Sequence, residues 1–197
     1  MTPTLDQLAQ RMRDLEEALE TELEERRKEL RYRLDRRRVV FEKDVVARHR
    51  AARIRLSSFL AKTRILVVLT APFIYGLILP LLLLDLFVML YQATCFPVYG
   101  IDKVRRRDFI VVDRQQLAYL NGLQKLNCVY CGYANGLIAL VREVGSRTEA
   151  YWCPIKHARR VSEPHMRYRH FADFGDESIF EQRLADLRED LKKLTPD

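Results

Sequence analysis

The 197-residue chain has 34 Lys and Arg against 27 Asp and Glu, 48% hydrophobic residues, four Cys and seven Gly, which bounds it to one or two small domains and excludes collagen-like or low-complexity character. Charge is laid out unevenly: residues 1–64 carry a formal +5, residues 65–101 carry −1 from Asp85 alone, residues 102–170 carry +7 and residues 171–197 carry −4. A nearly uncharged stretch between two strongly basic flanks is foreign to a freely soluble globule, so membrane association with a cytosol-like remainder is expected.

The predicted fold is mainly α. It runs from a long charged amphipathic helix (1–63) through a membrane segment (64–102), either a re-entrant hairpin or a kinked transmembrane helix, to a small metal-stapled Cys/His module (103–175) and a carboxy-terminal amphipathic helix (176–197). Between Leu5 and Leu60 there is neither Gly nor Pro, and Glu, Arg, Leu and Ala dominate, which predicts one continuous helix. Leu8 and Met12, Leu19 and Leu23, Leu30 and Leu34, Phe41 and Val45, and Ala52 and Leu56 form i, i+4 pairs repeating every 11 residues, bordered in the middle by Arg26, Arg37 and Arg48. That period, about 3.67 residues per turn, gives a nearly straight or slightly right-handed apolar stripe. Such a stripe fits the seam of a coiled coil or homo-oligomeric bundle, or an amphipathic face lying on anionic lipid with arginine stems snorkelling to phosphates. Seven acids fall between Asp14 and Glu25, whereas Arg26 to Arg55 holds 13 basic and four acidic residues, so the basic half is expected to approach the bilayer. No nucleic-acid motif accompanies these bases, which argues against a nucleic-acid partner.

From Ile65 to Ile101 the chain reads as an apolar run that would span about 55 Å as one straight helix, against a hydrocarbon core of roughly 30 Å. Pro72, Gly76 and Pro80 interrupt it, and Pro80 with Asp85 falls near the midpoint, where a re-entrant hairpin would bend. The flanks are symmetric: Arg48, Arg50, Arg53, Arg55, Lys62 and Arg64 before, and Lys103, Arg105, Arg106, Arg107, Arg114 and Lys125 after. Symmetry favours both ends on the cytoplasmic face. The charged first 64 residues argue against a secretory signal. Asp85 is either a polar residue at the bend or an intramembrane ligand or proton group, and Cys95 reads as a small buried hydrophobe.

Residues 102–170 hold the candidate site chemistry. Phe109 to Val112 reads as a short strand, Asp113 with Gln116 as a helix cap ahead of Leu117, Leu120 and Leu123, and Leu137 to Val144 as an apolar helix closed by Gly145. Cys128 and Cys131 form a Cys-x-x-Cys-Gly knuckle, followed after a gap by Cys153 and His157. Three thiolates and one imidazole suit a closed tetrahedral zinc site that would staple a small core, with His165 and His170 as reserve ligands. Competing uses are an iron centre, a redox dithiol or plain buried thiols. Arg105, Arg106, Arg107, Arg159 and Arg160 are candidates for anionic headgroups. Near the carboxy terminus, Ser178 and Glu181 fit a capping box, and Phe180, Leu184, Leu187, Leu191 and Leu194 follow a 4, 3, 4, 3 spacing.

The runs Asp85-Leu-Phe-Val-Met-Leu-Tyr-Gln92, Asn127-Cys-Val-Tyr-Cys-Gly-Tyr133 and Tyr151-Trp-Cys-Pro-Ile-Lys-His157 resemble those of a family of uncharacterised bacterial membrane-associated proteins. The resemblance covers residues 62–160, implies an inner-membrane setting, gives Asp85 extra weight and carries no activity to any residue. No Ser-His-Asp set, phosphate loop, dinucleotide fingerprint or paired-carboxylate motif is present, which argues against a hydrolase or kinase. The expected function is a membrane-anchored, non-enzymatic adaptor or assembly subunit with structural zinc; the alternative is an accessory redox or iron-handling protein using the same cysteines.

Overall fold

The computed structural model describes residues 5–35 and 38–192 and is mainly helical. Leu194 and Arg37 lie outside the described residues, as do the side chains of Leu8 and Met12. The chain falls into two compact units, one of Met1–Lys62 with Asp113–Asn127, the other of Thr63–Val112 with Cys128–Asp197. The segment expected to form a self-contained module is thus divided between them.

In the first unit the single long helix is not formed. Helix α1 (Leu5–Glu29) stops at Arg31, which adopts a left-handed φ of 56°. Strands β1 (Tyr32–Asp35) and β2 (Arg38–Phe41) then pair antiparallel, and helices α2 (Lys43–Ala51) and α3 (Leu56–Lys62) follow. Two local forces defeat the helical pattern. Val39, Val40 and Phe41 are β-branched and aromatic residues that favour a pleated surface, and the Arg31 guanidinium reaches across to Glu42 and to Asp44 at 2.6 Å, offsetting the strain of its own backbone. The 11-residue repeat therefore crosses five different elements, α1, β1, β2, α2 and α3, and forms no single stripe.

The hairpin register sets Tyr32 opposite Phe41 and Leu34 opposite Val39, so these four side chains share one face. Rings continue the packing: Tyr32 on Phe41 at 5.3 Å, Phe41 on His49 at 5.1 Å and His49 on Tyr119 at 5.1 Å. The Val39 N–H donates to the Gln116 side-chain oxygen at 2.9 Å, so Gln116 serves the hairpin and not the helix cap expected of it. The reciprocal cap lies later: Asn121 N–H donates to the Gln124 side chain and Gln124 N–H to the Asn121 side chain, both at 3.0 Å, opening helix α7 (Gly122–Trp152).

In the second unit the apolar run forms α4 (Ile65–Gly76) and α5 (Ile78–Tyr99), joined through Leu77 in a helical conformation (φ −61°, ψ −14°). The interruption sits where Pro80 has no N–H to offer the carbonyl of Gly76. The expected re-entrant bend is absent. Contacts with α7 advance in one direction along both elements: Tyr130 hydroxyl to Ile74 carbonyl at 2.7 Å, Tyr133 to Asp85 at 2.9 Å, Tyr91 to Thr148 at 3.0 Å, and Tyr99 stacked on Tyr151 at 5.1 Å. A hairpin would reverse that order. Ile65–Tyr99 is the one run among the described residues long and apolar enough to cross a membrane.

Past Gly100, whose φ of 68° closes α5, the chain turns back along it. A short helix α6 (Arg106–Phe109) lies on this return, and the strand expected at Phe109–Val112 is not formed: Phe109 ends α6, and Phe109 and Ile110 press on α7. A β-carbon at Gly136 would meet the Phe109 carbonyl oxygen at 2.6 Å and Ile110 Cα at 2.8 Å, so close approach demands glycine there. Gly145 does not end its helix; α7 continues to Trp152. The core gathers Phe96, Ile101 and Val104 with Leu137, Leu140, Val144 and Phe171, closed by Leu187 and Leu191 of α8 (Phe180–Lys192). The spacing expected of α8 is thus used for packing, while Ser178 turns its hydroxyl to Asp176 at 2.7 Å instead of capping that helix.

Candidate functional site: a polar seam along an apolar helix

Asp85 and Gln92 are seven residues apart and share one face of α5. Both are buried, at 9% and 1% exposure. The Asp85 carboxylate accepts from Arg106 at 2.7 and 3.3 Å and from the Tyr133 hydroxyl at 2.9 Å. Gln92 accepts the Val104 N–H at 2.9 Å. The arrangement satisfies an acid that would be costly within an apolar run, and it fastens the return segment and α7 to α5. Every donor on Asp85 is supplied from a distant part of the chain, so its role is to hold elements together.

The seam also alters the meaning of the basic flank. Lys103 to Arg107 does not lie beyond the end of α5 but returns beside it, since Val104 meets Gln92 and Arg106 meets Asp85. Counting these charges as a terminus of the apolar run therefore misplaces them. Of the five expected lipid-facing arginines, Arg106 is engaged by Asp85, Arg107 lies 3.6 Å from Asp108, Arg105 is half-buried, and Arg159 and Arg160 are exposed in the chain that follows α7.

The opposite face of α5 is bare. Leu79, Leu82, Leu83, Leu86, Phe87 and Leu90 recur at three- and four-residue steps and are all exposed, Phe87 by 65%. On α4 exposure is nearly all-round, reaching 80% at Phe73. Together they make a far larger apolar surface than soluble monomers normally show.

The cysteines are not brought together. Cys128 is half-buried and Cys131 exposed, one turn apart on α7, while Cys153 is exposed just past its end. The uninterrupted helix from Cys131 to Trp152 sets the two halves about 32 Å apart along its axis, an order of magnitude beyond a metal–sulfur bond of about 2.3 Å. Among the described residues no cluster of three or more Cys, His, Asp or Glu forms a metal-binding group. The histidines are occupied elsewhere. The His157 ring stacks on Tyr168 at 6.1 Å, and the His157 main-chain N–H donates to the Tyr168 hydroxyl at 2.6 Å. His165 lies 2.9 Å from Glu149. Burial, then Arg169 and Arg183, hold the His170 imidazole below its ordinary range against the opposing pull of Asp190.

A second polar group was not foreseen. Glu143 receives Arg167 through two hydrogen bonds of 2.8 Å and Arg147 through one of 2.8 Å, and Arg167 also donates to Ser146 at 2.7 Å. Burial by itself raises the Glu143 carboxyl, but Arg167 and then Arg147 outweigh it and hold it below the usual carboxylate range. Arg147 in turn donates to the Asp102 carbonyl at 2.6 Å. The usable signal was the seven-residue spacing of Asp85 and Gln92 within the apolar α5, and the i, i+4 acid–base pair Glu143 and Arg147 on α7. Comparison with protein-family models, curated proteins and solved structures finds no match.

Proposed function

We propose that this chain is a membrane-anchored, non-enzymatic adaptor or assembly subunit, seated in the bacterial inner membrane with its bulk in the cytoplasm. The observation that carries the reading is the continuous apolar surface of α4 and the outward stripe of α5, backed by a polar seam that locks α7 and the return segment onto the other side. Lipid is the environment in which such a surface costs nothing. All four cysteines are unpaired, with Cys131 and Cys153 exposed, as suits a reducing compartment. Arg159 and Arg160, both exposed, are the residues this reading assigns to anionic headgroups. Exposed Leu15, Leu19 and Leu23 on α1 offer the face for self-association or partner capture. A metal site joining Cys128 and Cys131 to Cys153 needs the two ends of α7 to converge, and the helix holds them apart, so the proposal assigns no metal to these residues.

The test is flotation of the full-length protein with vesicles of phosphatidylethanolamine and phosphatidylglycerol. Wild type is expected to float after high-salt and alkaline washes. Leu82→Lys, Leu86→Lys and Leu90→Lys combined should abolish flotation, because these side chains are outside the core. Release of wild type by salt alone would reduce the attachment to surface charge and overturn the anchor.

A further inference from the structure

We propose that the hollow beneath the β1–β2 hairpin is a binding site for a single-chain anionic amphiphile, an apolar chain ending in a carboxylate. The hairpin face of Tyr32, Leu34, Val39 and Phe41 does not pack flat. It covers a cavity of about 420 Å³ whose facing wall includes Leu117 and Tyr119. That volume lies within the range of small-molecule sites, which are mostly apolar with a few convergent polar groups. Here the ionic groups at the cavity are Arg27, Arg114 and Asp113, a net charge of +1 with His49 neutral.

Both arginines are available. Among the described residues neither the Arg27 nor the Arg114 guanidinium has an ion pair or hydrogen-bond partner, although Arg31, four residues from Arg27, is matched to Glu42 and Asp44. Arg27 is also half-buried, in the last turn of α1. Proximity to the helix carboxy terminus gives it a favourable field but leaves its planar donor fork unmatched, and a carboxylate is the group that fork fits best. The Gln116 oxygen already accepts the Val39 N–H, so that oxygen is committed to building the wall. Apolar hairpin face, open volume and unmatched guanidinium together select a ligand that is greasy along its length and anionic at one end. The site lies wholly within the first unit and does not rest on the membrane anchor.

The experiment uses the full chain in phosphatidylcholine nanodiscs, titrated with laurate labelled at its carboxyl carbon and followed by NMR against protein-free discs. One saturable site per chain is expected. Dodecanol, with the same chain and no charge, should bind at least tenfold more weakly. Arg27→Glu with Arg114→Glu should weaken laurate at least tenfold, and Val39→Phe, which fills the hollow, should do the same. Arg11→Glu, exposed on α1 and outside the cavity lining, should leave binding unchanged. Laurate that only partitions without saturating, or that binds no better than dodecanol to wild type, would overturn the proposal even if the variants misfold.

Discussion

The two halves of the apolar run, Ile65–Leu77 and Ile78–Tyr99, are similar in composition and opposite in circumstance. The first is exposed on almost every side, whereas the second buries Asp85, Gln92 and Phe96 against α7 and the return segment. A few polar side chains separate them. In the second half Asp85 and Gln92 supply directional partners that bring Arg106, Tyr133 and Val104 into place, after which Phe96 closes a core. The first half has no buried carboxylate or amide; its ties to α7 are the Ile74 carbonyl accepting from the Tyr130 hydroxyl and the Tyr75 ring set edge-on to Tyr130 at 5.9 Å. Apolar character by itself makes a helix that any hydrocarbon can cover, while a polar pair at heptad spacing specifies which protein surface covers it.

The strongest test of that contrast truncates one phenylalanine in each half. Phe96→Ala removes a fully buried ring and is expected to cost about 3–5 kcal/mol, read as a lowered midpoint of urea unfolding in detergent. Phe73→Ala removes a ring that is 80% exposed and should stay within about 0.5 kcal/mol. Equal losses would mean that the first half is packed in the native protein after all.

A smaller effect sharpens the role of the seam. Asp85→Ala leaves the Tyr133 hydroxyl and a half-exposed guanidinium without their acceptor, for an expected loss of about 1–3 kcal/mol. Adding Arg106→Ala to that background should cost little more, because the pair acts as a unit. Additive losses would show that Asp85 and Arg106 stabilise separate contacts.

The smallest effect appears only in acid. The folded-state Glu143 carboxyl is held below its ordinary range, so its stabilisation is full above the unfolded value of about 4.3 and is lost as pH falls through the depressed folded value. Hydrogen exchange across residues 165–171 should accelerate over that interval, since Arg167 is tied there to Glu143. Glu143→Gln should raise exchange at neutral pH and flatten the acid dependence. An unchanged acid limb in that variant would assign the effect to another carboxylate.

Local composition and periodicity were enough to indicate a mainly helical chain, an apolar run from Ile65 and the packing face of α8, because each depends on residues close in sequence. The break at Arg31 was also written locally, in the run Val39-Val40-Phe41, but was outweighed by the absence of Gly and Pro. Cys-x-x-Cys and Cys-x-x-x-His matched a metal template in spacing, yet template matching assumes that the intervening chain folds back. An unbroken α7 takes that freedom away from Cys128, Cys131, Cys153 and His157. What only the tertiary structure decided is the company each polar group keeps: that Asp85 meets Arg106 and Tyr133, that Gln116 serves the hairpin, and that Arg27 is left unmatched beside a hollow. Those pairings join residues 21 to 77 positions apart, and their energies depend on burial and direction, quantities that no sequence window contains.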